Sequence, residues 1–171
     1  MSSDEAKTTS GEAEDGYVLR RATLEDVETL VTFNNDSAIE TENRQLDRDK
    51  IRRGLEGIIG DTSGARGFYL VVEKENMVVA CSMVTFEWSE WNAANYWWIQ
   101  SVYVHKDHRR RGLFKRLYAK IYALAKEDKA AAVRLYVEHD NERAKSTYVA
   151  MGMQPSHYLM YEVDLPDATA E

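Results

Sequence analysis

The sequence predicts one α/β domain built on a mixed sheet, with elements in the order β-α-α-β-β-β-α-β-α-β. Three observations lead there. The chain has 171 residues, about the length of a single domain. Its composition, 44% hydrophobic and 30% charged, is that of an ordinary globular protein. Along it, runs of period two alternate with stripes of period 3.6.

The elements follow in turn. Residues 1–15 hold five acidic groups against Lys7 and almost nothing apolar, which predicts a disordered acidic tail ahead of a domain over 16–171. Tyr17 to Arg21 alternates as a strand. Thr23 reads as a helix N-cap, followed by a stripe of Leu24, Val27, Leu30, Val31 and Phe33. Asp47 opens a second helix with Ile51, Leu55, Ile58 and Ile59 on its apolar face, and Gly60 to Gly67 is loop by composition. Phe68 to Glu73 and Met77 to Trp88 form a hairpin across Lys74, Glu75 and Asn76. After a turn at Asn92 to Asn95, Tyr96 to Val104 is apolar on both faces, as a strand between helical layers must be. Gly112 to Glu127 is the clearest helix, with Leu113, Leu117, Ile121 and Leu124 on one side. A strand at Ala132 to Val137, a short helix capped by Asp140 and ending at Gly152, and a last strand at Ser156 to Leu165 complete the chain.

Several classes of function are disfavoured. The net charge of -7 argues against a general nucleic-acid binder. The longest mostly apolar run, Met77 to Phe86, is shorter than the ~18 residues of a membrane span. The opening MSSDEAKTTSGEAED lacks the apolar core of a secretory signal, so a cytoplasmic location is expected. The one cysteine, Cys81, rules out an internal disulfide and reads as a small core residue rather than an acyl-carrying nucleophile. His105 and His108 have an HxxH spacing but no third ligand in sequence, so no metal is expected.

The most informative stretch is HKDHRRRGLFKRLY, residues 105–118, where a strand ends, a basic loop with one glycine follows and a helix begins. The first turn of a helix leaves N–H groups unpaired and carries partial positive charge. Gly112 lets the backbone approach an anion closely, and arginines add charge-assisted hydrogen bonds. A diphosphate fits such a place; a merely solvated basic face is the alternative reading.

Arg109-Arg110-Arg111-Gly112-Leu113-Phe114 resembles the acyl-CoA loop, Gln/Arg-x-x-Gly-x-Gly/Ala, of the GNAT superfamily of N-acetyltransferases. Phe114 departs from the small residue usual there, which narrows the room beside the pyrophosphate. Residues 133–155 are similar to the family's strand–helix–strand end, with Asn141, Ala144, Tyr148 and Gly152 in their usual places. The resemblance covers residues 95–163 well and residues 17–90 mainly in element order.

It implies the fold of that family, acetyl-CoA as co-substrate and an amine as acceptor. The strand end Val102-Tyr103-Val104 would hold the pantetheine and acyl carbonyl through backbone groups of Val102 and Val104. Arg109, Arg110, Arg111, Gly112, Leu113, Phe114 and Lys115 would hold the pyrophosphate, and Asn141 the CoA arm. Tyr148 would protonate the leaving thiolate. Gln100 stands where some members carry a basic glutamate, and glutamine accepts no proton at neutral pH. Glu87 is the first candidate for the base; Glu40 and Glu42, following the first helix, are others. Trp88, with Ser89 and Trp91 and beside Glu87 and Glu90, would form an aromatic and acidic mouth suited to a cationic amine. Glu40, Glu42, Trp88 and Gln100 are the acceptor-side candidates. The alternative is a CoA-binding regulatory module with weak or no catalysis, and a third reading makes the arginine run a nucleic-acid contact. Neither nucleic acid nor a membrane is expected as a partner, and the oligomeric state stays open, a homodimer included.

Overall fold

The computed structural model describes residues 15–163 and 165. The expected acidic tail lies outside the described residues except for Asp15. The chain forms two compact units that meet in sequence between Tyr136 and Val137.

The first unit holds a five-stranded sheet in the order β1-β2-β3-β4-β5. Its strands are β1 (Tyr17–Arg21), β2 (Phe68–Lys74), β3 (Met77–Ser89), β4 (Ala94–Val104) and β5 (Ala132–Leu135). Neighbours are antiparallel except β4 and β5, which run parallel. The mixed sheet is therefore as the sequence predicts. Helices α1 (Val27–Glu42) and α2 (Arg48–Ile59) cover one face, and α3 (Leu113–Glu127) covers the other.

Each layer follows from its residues. Val27, Leu30, Val31 and Phe33 of α1, with Leu55 and Ile58 of α2, bury against Tyr69, Val71, Cys81 and Tyr103. Leu24, expected in that stripe, lies in a 3₁₀ turn ahead of α1 and is 58% exposed. Here Asp26 accepts from the Thr23 amide at 2.8 Å and from both terminal nitrogens of Arg20 at 2.7 and 2.9 Å. Asp47 caps α2, its Oδ1 accepting from the amides of Asp49 and Lys50. On the far face Leu113, Leu117, Ile121 and Ala125 pack onto Phe68, Leu70, Ala80, Val84, Trp97 and Ile99.

One irregularity shapes everything near the centre. Val84 pairs with Ile99 and Met83 with Ser101, which leaves Gln100 as an extra residue in β4. Such a bulge flips the alternation of a strand. Before it, Trp97 and Ile99 turn toward α3; after it, Val102 and Val104 do, while Tyr103 joins the α1/α2 side. The pairing of β4 with β5 ends at Ile99 and Leu135. Past the bulge, no strand among the described residues pairs with that edge of β4.

The second unit contains α4 (Glu142–Ala150). Asn141, not the expected Asp140, is its N-cap, accepting from the Ala144 amide at 3.0 Å. The strand expected over Ser156 to Leu165 does not form in the described residues: they carry no ladder, and Tyr158, Leu159, Met160, Tyr161, Val163 and Leu165 are exposed. Alternation makes a strand only where a neighbour takes up its N–H and C=O groups, and the one regular element described in this unit is a helix.

Candidate active site

The basic loop emerges from β4 through a 3₁₀ turn at Lys106–His108. Arg110 and Gly112 then adopt left-handed backbone, φ 61° and 75°. Gly112 is the N-cap of α3, and no side chain caps the helix there. A helix start reached through a left-handed glycine, with its first N–H groups uncapped by any side chain, is an anion cradle. Arg110, Arg111 and Lys115 stand exposed around it, whereas Leu113 is buried and anchors the helix below. This donor set fits a diphosphate. Phe114 is half-buried, its ring 6.4 Å from that of Tyr118. Below the turn the Tyr17 hydroxyl and His108 Nδ1 lie 3.0 Å apart.

Arg109 has a different position from its neighbours. Its Nε donates to the Val104 carbonyl at 2.9 Å, and its Nη2 meets both oxygens of Glu40 at 2.8 and 2.7 Å. Glu40, an acceptor-side candidate, is thus brought together with the first loop arginine and ties α1 to the loop. Glu40 and Glu42 do not follow the first helix but form its last turn, because α1 runs on to Glu42.

The edge of β4 that pairs with no described strand continues from the loop toward the bulge. Val102 and Val104 are half-buried on the α3 side. The Tyr103 ring is in the core, 4.7 Å from Phe33, and burial raises its phenol pKa. At the bulge, Gln100 Nε2 donates to Thr85 Oγ1 at 2.9 Å.

On the face away from α3, Glu87 Oε2 accepts from the Trp98 indole N–H and lies 3.6 Å from Arg134 Nη1. Arg134 stacks on Tyr96, 3.3 Å from the ring centroid, and Trp98 stacks on Tyr136 at 4.5 Å. Sequence reasoning did not single out Arg134 or Tyr136. The signal was their alternate spacing at the end of β5, which puts both on one side.

Trp88 is not brought together with Glu87. Adjacent residues of a strand point to opposite faces, and Trp88 borders a cavity of about 820 Å³ on the α3 side, with Phe86, Trp97, Glu127 and Asp128. Trp91 and Glu90 are exposed at the hairpin tip, and Ser89 is buried beneath it. The expected aromatic and acidic mouth is therefore divided by the sheet. Trp97 and Trp98, adjacent in β4, separate, one into the core and one to the other face.

Cys81 is fully buried, and burial pushes its thiol up to about 12. A thiol so held stays protonated and cannot carry an acyl group. In the second unit, the Asn141 side-chain oxygen serves the helix cap, and Tyr148 is half-buried, with its phenol pKa raised by burial.

The acetyltransferase (GNAT) family model matches residues 27–153, three-quarters of the chain. The chain belongs to this family. A solved structure, that of a possible acetyltransferase from Clostridium difficile 630, is 38% identical, covers 88% of this chain and 98% of its own, and superposes with a TM-score of 0.82. The thialysine N-epsilon-acetyltransferase of Bos taurus is 25% identical over 116 residues, 62% of this chain and 68% of the relative. A ribosomal-protein-alanine N-acetyltransferase from Brucella melitensis biovar Abortus 2308 shares the fold at 15% identity, with a TM-score of 0.69 over 87% of this chain and 99% of its own. Acetyl-CoA is the general acyl donor of the family. No described helix is long and apolar enough to cross a membrane, and no group of three or more metal-ligating side chains occurs among the described residues.

Proposed function

We propose that this chain moves an acetyl group from acetyl-CoA to an amine by direct attack in a ternary complex, residues 16–171 serving as the acetyltransferase domain. The observation that carries the reading is the start of α3, entered through left-handed Gly112 and ringed by Arg110, Arg111 and Lys115, at the end of a β4 edge that pairs with no strand among the described residues. The loop holds the diphosphate. The open edge, through the peptide groups of Val102 and Val104, takes the pantetheine as an added strand. Asn141 contributes to the CoA arm. Arg109, tied to Glu40 and the Val104 carbonyl, keeps the loop in place and adds its charge.

The chemistry needs a neutral amine held against the thioester carbonyl. As the amine nitrogen bonds to the carbonyl carbon, the Val102 N–H stabilises the oxygen that becomes negative. Glu87, fixed through Oε2 beside Trp98 and four residues of β4 short of Val102, takes the amine proton at Oε1 through water. Collapse breaks the carbon–sulfur bond, and the Tyr148 hydroxyl gives its proton to the departing sulfur before regaining one from solvent. A phenol whose pKa burial raises remains protonated for this step. Glu42 and Gln100 border the acceptor side; Trp88, on the α3 face of the sheet, is left out of it.

The acceptor is an amine, and the bovine relative's name specifies an N-epsilon amine of thialysine. Placement in the cytoplasm suits an acetyl-CoA-dependent enzyme. The test is thiol release from acetyl-CoA across a panel of amines. Release that depends on both substrates supports the reading. CoA binding without release to any amine would instead support the regulatory module, which the glutamine at position 100 and the bulky Phe114 favour.

A further inference from the structure

Arg134 is an arginine held by stacking, with no hydrogen bond to its guanidinium among the described residues. Its guanidinium carbon sits 3.3 Å over the Tyr96 ring and 5.6 Å from that of Trp98. Both rings are fixed in turn. Asn92 donates to the Tyr96 hydroxyl at 2.9 Å, and Trp98 is pinned between Glu87 and Tyr136. Among the described residues its ion-pair partner is Glu87, 3.6 Å away through Oε2 and beyond hydrogen-bond reach, and that oxygen already accepts the Trp98 indole. No hydrogen bond among the described residues engages the Arg134 guanidinium, whose side chain is 33% exposed.

Stacking, with the longer ion pair to Glu87, therefore orients a planar fork whose N–H donors make no hydrogen bond among the described residues and can turn to an outside partner. The partner that matches this fork is a carboxylate, bound through two parallel hydrogen bonds. The coenzyme's diphosphate is not that partner. Arg134 lies opposite Trp98, six residues back along β4 from Val104, or ~20 Å at about 3.3 Å per residue. Beside the guanidinium stand a carboxylate (Glu87) and the Trp98 ring, and the same sheet face, away from α3, carries Tyr136 stacked on Trp98 and the Gln100 carboxamide joined to Thr85. Such a surface offers one positive and one negative group side by side.

We infer that Arg134 is the carboxylate-binding residue of the acceptor site, and that the acceptor is an amino acid rather than a simple amine. The inference rests on the transferase reading above only for the role of the bound molecule; the carboxylate site itself stands on the geometry of Arg134. Removing the acceptor's carboxylate, or the fork, costs about ten- to a hundredfold in affinity, the weight of a charge-assisted hydrogen-bonded pair.

The test uses the full chain and matched ligands: lysine against 1,5-diaminopentane, and tyrosine against tyramine. Calorimetric titration of the CoA-saturated protein should show at least one amino acid binding tenfold or more tighter than its decarboxylated partner. Arg134→Gln should erase that preference while leaving CoA affinity and melting temperature near wild type, with Arg134→Lys intermediate. Equal binding within every pair in the wild type overturns the inference without any variant, as does a preference that survives in Arg134→Gln. Thiol release separates the two claims. Preference without release keeps the carboxylate site and removes the transferase reading; equal release from both members of every pair does the reverse.

Discussion

Replacing Gly112 with alanine separates what the loop glycine does for the fold from what it does for the ligand. Its φ is 75°, and a Cβ built on it meets nothing within 4 Å. In the free protein the substitution therefore costs only the left-handed backbone penalty, about 1–2 kcal/mol. For a chain of this size that lowers the melting temperature by roughly 2–8 °C. With CoA the cost is larger. Phosphate oxygens close on amide nitrogens to about 2.7–2.9 Å, and a methyl group in the cradle holds them away. Losing one charge-assisted hydrogen bond removes about 1.5–3 kcal/mol, so CoA should bind at least tenfold more weakly. Gly64→Ala is the control, because Gly64 is also left-handed, φ 69°, with nothing within 4 Å of its added Cβ. Both variants should melt earlier by similar amounts in scanning fluorimetry, and only Gly112→Ala should lose CoA affinity by calorimetry. Equal CoA affinity in both would refute the cradle.

Tyr148→Phe should lower kcat about 10²- to 10⁴-fold, the usual span for a general acid, and leave the CoA dissociation constant unchanged. Since burial raises the Tyr148 pKa above 10.0, the wild-type kcat should not fall on the alkaline side before about pH 10; a decline centred near pH 8 would exclude this phenol as the acid. Ser82 Oγ is buried without a hydrogen-bond partner among the described residues, so Ser82→Ala should raise stability by about 1 kcal/mol in urea unfolding, where a loss would show that the hydroxyl is satisfied. Cys81, buried with its thiol near 12, should resist a thiol reagent until the protein unfolds, and Cys81→Ala should retain transfer; reaction of the native protein accompanied by inactivation would restore a covalent route.

The parts legible in the sequence were those fixed by local chemistry. The α3 stripe of Leu113, Leu117 and Ile121 is buried as its spacing requires. The hairpin at Lys74 to Asn76 turns through Glu75 and Asn76, both left-handed, as a two-residue loop between antiparallel strands favours. The anion loop was legible because strand, glycine, arginines and helix follow one another directly. The bulge at Gln100 was not, since no residue type marks an extra position in a strand, yet it decides which side Val102 and Tyr103 face. Glu40 and Arg109 meet across 69 residues of sequence, and only the packing of α1 against the sheet brings them together. Arg134 was hidden for a related reason: its partners Tyr96 and Glu87 lie on two other strands. The alternating run from Ser156 misled because period two states which side chains share a face, not which strand lies alongside.

The most direct measurement compares CoA with pantetheine, which has the same thiol arm but no diphosphate, by calorimetry at low and high salt. Binding through the cradle predicts about a hundredfold tighter association for CoA, an advantage that shrinks as salt rises, and displacement of CoA by ADP. Equal affinities for the two, or a CoA affinity indifferent to both salt and ADP, would contradict it.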